Sequence, residues 1–185
     1  MGEIRQPEPV MLFIGLLIAP SCALVGVYRS LEERVGPIEL KSQIMDFDYT
    51  RYYEPEMGSG LSRQFLAFER LVLPDELPRV KIATNALEKE LAQDGKRRVN
   101  LDPGYLTGAK LVLVTTKDHA HRLYLGRGIY GEITLMFQRG KFEALPWTYP
   151  DYRSQGYQEF FQVLRERYLS KVSEARSSAK GEQPK

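Results

Sequence analysis

One cysteine, one tryptophan and two histidines are all that 185 residues contain of those types. The lone Cys22 excludes an intramolecular disulfide and has no companions for a zinc knuckle, so a reducing, cytoplasmic setting is expected. Charge of one sign is also lacking. Lys and Arg number 26 against 24 Asp and Glu, a formal net charge of +2, which removes the overall electrostatic case for a dedicated nucleic-acid binder but leaves room for a local patch. There is no glycine-rich phosphate loop with its lysine, no dinucleotide-binding glycine fingerprint and no recognised zinc pattern. Standard nucleotide hydrolases and dehydrogenases therefore lack support, no metal is assigned, and the cofactor is left unknown.

An uninterrupted apolar span is missing too. Val10 to Val27 carries no charge, but Pro20 and Ser21 break it halfway, and Glu3, Pro7, Glu8 and Pro9 ahead of it make no basic leader. The run reads as a buried strand over Met11 to Ile18. After Pro20 comes a helix with Leu24, Val27, Leu31 and Val35 at helical spacing, stopped by Gly36-Pro37. No membrane contact is expected.

What remains is an ordinary globular composition, 43% hydrophobic and 27% charged, at the length of one domain. A single α+β domain is predicted over residues 1–172, with a polar, small-residue tail, Ser173 to Lys185, expected to be disordered. Strands are predicted over Ile38 to Phe47 and Arg63 to Leu73, the latter with Phe65 and Ala67 on one face and Leu66, Phe68 and Val72 on the other. Asp75 is placed as the N-cap of a helix buried along Leu77, Val80, Thr84, Leu87 and Leu91. Lys110 to Thr116 reads as a central strand, and Arg122 to Leu125 with Ile129 to Phe137 as a hairpin about Gly126-Arg127-Gly128. Ser154 can cap a last helix whose stripe is Tyr157, Phe160, Phe161, Leu164 and Tyr168. The order strand, helix, strand, strand, helix, strand is that of a ferredoxin-like split βαβ sandwich, here with an added antiparallel hairpin and a C-terminal helix.

Three segments are distinctive: Asp48-Tyr49-Thr50-Arg51-Tyr52-Tyr53-Glu54-Pro55-Glu56-Met57-Gly58, Arg98-Val99-Asn100-Leu101-Asp102-Pro103-Gly104-Tyr105-Leu106, and Leu145-Pro146-Trp147-Thr148-Tyr149-Pro150-Asp151-Tyr152-Arg153-Ser154. In them the chain resembles, over nearly its whole length, a prokaryotic family catalogued only as a domain of unknown function. The resemblance implies a soluble protein and brings no activity, cofactor or catalytic residue.

Three constellations carry chemistry. Lys117-Asp118-His119-Ala120-His121-Arg122 holds both histidines; extended, it would set His119 and His121 on one face, able to bind phosphate, share a metal with carboxylates such as Asp118, Glu132 or Asp102, or act as acid and base. Phosphoesterases on a related sandwich use two histidine-x-serine/threonine motifs, and the chain has none. The plain alternative is a solvated turn. In Lys96 to Tyr105, Arg97 and Arg98 can grip phosphate while a turn at Pro103-Gly104 exposes backbone N–H groups and Asp102 accepts a proton; the plain alternative is a turn with Asp102 paired to an arginine. The third is aromatic: Tyr49, Tyr52 and Tyr53 in one loop, Trp147, Tyr149 and Tyr152 in another, beside Arg51, Arg63 and Arg153, a mixture that stacks rings and takes phosphates or simply pins proline-rich loops.

Period-two alternation sends Ile129, Gly131, Ile133, Leu135 and Phe137 to the core and leaves Glu132 mid-strand on the other face, where Arg63 and Glu69 could join it. Two functions follow. In one, a cleft binds a small anionic ligand, a phosphorylated metabolite, a nucleotide or an RNA end. His121, Glu132 and Asp102 are its candidate acid-base groups; Arg63, Arg97, Arg98, Tyr52, Tyr53, Lys117, His119, Trp147 and Arg153 are its candidate ligand contacts. In the other, a non-enzymatic adaptor or assembly protein meets a protein partner through its aromatic loops.

Overall fold

The uncharged run after Pro9 begins with the buried strand it was expected to form. In the computed structural model, which describes residues 2–181, all nine residues of β1 (Val10–Ile18) are buried, as a strand covered on both faces requires. The chain continues through α1 (Leu24–Val35), β2 (Ile38–Lys41), β3 (Met45–Asp46), a single turn α2 (Glu54–Met57), β4 (Ser62–Val72), α3 (Leu77–Glu90) and β5 (Val99–Leu106). Then follow β6 (Lys110–Thr115), β7 (Leu123–Gly126), β8 (Ile129–Gln138), β9 (Lys141–Ala144) and α4 (Gln155–Gly181). The fold is α+β, with one open antiparallel sheet ordered β2-β4-β1-β5-β6-β8-β7; β3 adds to β4 and β9 to β8.

Helices cover both faces. Val27 and Leu31 of α1 and Leu77 and Leu87 of α3 pack on Leu12, Ile14, Leu16, Leu66 and Phe68. On the opposite face, Tyr157, Phe160, Phe161, Leu164 and Tyr168 of α4 pack on Met11, Phe13, Phe65 and Ala67. The alternation expected for β4 is therefore observed, and so is the stripe of α4. The turn of the β7–β8 hairpin is Arg127-Gly128, with φ of 57° and 77°, the left-handed pair of a two-residue turn that matches strand twist.

Several expectations are corrected. Residues Pro103 and Gly104 form no turn: they lie inside β5, paired with Ile14 and Phe13 of β1. The β5–β6 ladder runs only from Gly104↔Leu113 to Leu106↔Leu111, so Pro103 stands where the pairing with β6 ends. Gly104 is required because a Cβ there would lie 2.4 Å from the Val112 carbonyl oxygen. Strand Ile38 to Phe47 is split at Ser42, whose hydroxyl accepts the Phe65 N–H at 2.9 Å. Asp75 caps no helix; it lies in a 3-10 turn, Pro74–Glu76, in which Glu76 accepts the Leu73 N–H. The buried side of α3 includes Lys81 and Glu88. In β8 the register slips at Thr134, which leaves Ile133 exposed instead of in the core. Past Ser173, α4 runs to Gly181, with Ser177 and Ser178 bonded to carbonyls one turn back and Arg176 paired with Glu8; residues 182–185 of the expected tail lie outside the described part.

Candidate functional site

Beyond Gly104 the sheet parts. Asp102 stays on β5, while Leu113, Val114 and Thr115 of β6 follow β8, and the gap opens into a cavity of about 590 Å³. Two loops wall it: the segment between β3 and β4, which brings Tyr49, Tyr52 and Tyr53, and the segment before α4, which brings Tyr149, Asp151 and Tyr152.

On one side of the floor lies Arg63. It is on the β4 face of Phe65 and Ala67, yet its guanidinium reaches Asp102 on β5 at 3.4 Å, across the intervening β1. The crossing point is Gly15, paired with both Phe65 and Asp102, where a Cβ would come within 3.4 Å of Arg63 Nη1 and 3.1 Å of the Phe65 ring. Arg63 also donates to Asp151 at 3.3 Å. Asp102 accepts from Asn100 at 2.8 Å, and Lys81 Nζ stands 3.9 Å away. Burial pushes the Asp151 carboxyl above its ordinary range, an effect only partly offset by Arg63.

The other side is built on Glu132. Its Oε2 accepts from Arg122 Nε at 2.7 Å and stands 2.9 Å from His121 Nε2. Arg122 further donates to the Tyr149 hydroxyl and the Lys117 carbonyl, which ties the histidine segment to the pre-α4 loop. The His119, His121 and Trp147 rings form a nearly parallel stack, with centroids 6.0 and 5.3 Å apart. Burial, then the Asp102 carboxylate, pushes Tyr53 up to about 12, and burial with Glu132 raises Tyr149. Both phenols are neutral near pH 7, able to donate and to accept.

The cavity thus brings together Asp102, Glu132, Arg63, Tyr52, Tyr53, Lys117 and His119, with His121 bonded to one of its walls and Trp147 stacked behind it. Three expected contacts go elsewhere. Arg97 makes a two-pronged pair with Glu56 of α2, both contacts 2.7 Å, and also donates to Asn100. Arg98 donates to Gln93, and Arg153 to the carbonyls of Leu145, Pro146 and Thr148, closing its own loop. Sequence reasoning named Arg122 only within the histidine segment and Tyr149 and Tyr152 only within the aromatic set, and it missed Asp151 as a cavity group. The last three sit in the distinctive Leu145–Ser154 segment, but no spacing announces that Asp151 meets an arginine 88 positions earlier.

Comparison with known proteins adds one relationship. No curated protein and no solved structure matches the chain. A family model described as a domain of unknown function, DUF4416, matches residues 8–168. The match spans every strand from β1 to β9 and reaches Tyr168 in α4, and the chain belongs to this family.

Proposed function

We propose that the cleft between β5 and β6 binds a phosphorylated small molecule, a nucleotide or the phosphorylated end of an RNA. The observation that carries this reading is the cavity: about 590 Å³, within the range of small-molecule sites, with tyrosines on two loops and charged groups of both signs directed at one space. Tyrosine faces stack planar rings, while cationic groups at the opening draw phosphate. The groups suited to proton transfer are Asp102 and the His121–Glu132 pair. The single Cys22 supports a reducing, cytoplasmic setting. We also read the first part of the chain as a ferredoxin-like split βαβ sandwich; the strand order β5-β1-β4-β2, with α1 and α3 on one face, supports it, and β6 to β9 and α4 are then additions.

A second reading, an adaptor or assembly protein without catalysis, is favoured by Leu123, Tyr124 and Leu125, exposed side by side on β7 at the edge of the sheet.

A thermal-shift screen against nucleotides, sugar phosphates, divalent metals and short 5′-phosphorylated RNAs separates them. On the first reading, a ligand at about 100 times its dissociation constant adds roughly 2.7 kcal/mol and raises Tm by about 5–10 °C. The shift is then reduced in His121→Ala and Glu132→Gln. Silence across the panel supports the second.

A further inference from the structure

Charges in the cleft are unevenly committed. At the floor, Arg63 is held by Asp102 and Asp151, and Arg122 by Glu132. Each of these side chains except Asp102 is at least nine-tenths buried. Toward solvent, the Lys117 ammonium meets only the Tyr52 hydroxyl among the described residues, at 3.5 Å, and lies 5.2 Å over the Tyr52 ring. His119, beside it, is exposed. The floor also holds three buried polar atoms with no partner among the described residues: Glu132 Oε1, Arg63 Nε and the Tyr152 hydroxyl. Native interiors rarely leave such atoms unpaired, and here the acceptor, the donor and the hydroxyl belong to three residues that line one cavity. A phosphate at that depth would meet three carboxylates whose cations are already taken. A neutral group carrying hydroxyls or ring nitrogens would pair with these atoms on small rotations of the side chains that carry them.

On the reading that the occupant is a small phosphorylated molecule, we infer that the cleft holds it in one direction. The phosphate lies outward on Lys117 and His119, and a hydroxyl- or amino-bearing ring lies inward on Glu132 Oε1, Arg63 Nε and Tyr152. The class selected is the monophosphate ester of a sugar or nucleoside. Inorganic phosphate, having no group for the floor, is a poor ligand.

Titration calorimetry with two pairs, adenosine 5′-monophosphate with adenosine and ribose 5-phosphate with ribose, tests the direction. In the wild-type chain the ester of the pair that fits should bind about tenfold or more tightly than its parent, the scale of one charge-assisted contact. Lys117→Met should erase most of that advantage and leave the parent's affinity unchanged. Tyr152→Phe and Glu132→Gln should weaken ester and parent by the same factor. Tyr152→Phe removes a hydroxyl that makes no bond among the described residues, so its fold is preserved even if Glu132→Gln is destabilised. An advantage that survives Lys117→Met and disappears in Arg122→Lys would overturn the direction while leaving the binding site intact. If neither ester nor parent of either pair binds the wild-type chain, the ligand reading itself falls.

Discussion

Gly15 decides where Arg63 can lie. In the middle of β1 any side chain on that face would occupy the path by which the guanidinium crosses from β4 to Asp102, since a Cβ alone comes to 3.4 Å from Nη1. Gly15→Val should therefore destabilise the protein by about 1–3 kcal/mol through overpacking against Phe65, read as a lower urea midpoint with an unchanged m-value. It should also weaken any ligand of the cleft, because Arg63 loses its seat. A variant as stable as wild type that binds normally would show that the crossing is incidental. The sequence offered half of this. Arg63 was recognisable as a candidate ligand contact, whereas an interior glycine says only that something comes close, not what.

At the scale of elements, the tyrosine loop is fixed through α2. Glu56 accepts from Nε and Nη2 of Arg97, and Nη1 continues through Asn100 to Asp102, so one chain of hydrogen bonds joins the loop to the cleft floor. Hydrogen bonding from Arg97 holds the Glu56 carboxyl below its ordinary 4.5. Its contribution to stability is complete above that value and is lost as pH falls through the lowered one. Glu56→Gln should then be less stable than wild type by no more than about 1 kcal/mol at neutral pH, the side chain being partly solvated. The deficit should shrink as pH falls below 4.5 and through the lowered value, and at neutral pH limited proteolysis should cut the loop faster. A deficit that persists unchanged at low pH would show that the pair does not secure the loop. Arg97 could be recognised as a strong anion gripper from sequence; that its anion is Glu56, 41 positions away, could not. The same limit explains β5. Pro103-Gly104 has the local chemistry of a turn, and only pairing with β1 along its whole length keeps that segment extended.

For the molecule as a whole, the pattern of faces was legible and the site was partly so. Alternation in β4 assigned its residues to opposite faces correctly, and the apolar stripe of α4 marked its buried side, because burial follows periodicity wherever both faces are covered. The register slip at Thr134 defeated the same reasoning in β8. The cleft depends on a sheet that parts between β5 and β6, a property of long-range pairing with no local signature. Its occupancy can be read directly from the tyrosines. Of the eleven in the chain, Tyr49, Tyr52, Tyr53, Tyr149 and Tyr152 line the cavity, while Tyr124 and Tyr130 pack together at the β7 edge. The decisive measurement is an NMR titration of tyrosine-labelled protein with adenosine 5′-monophosphate and ribose 5-phosphate. Saturable shifts confined to the cavity tyrosines are the predicted result; ring signals that stay unmoved with both ligands, or that move only at Tyr124 and Tyr130, would contradict a ligand-binding cleft.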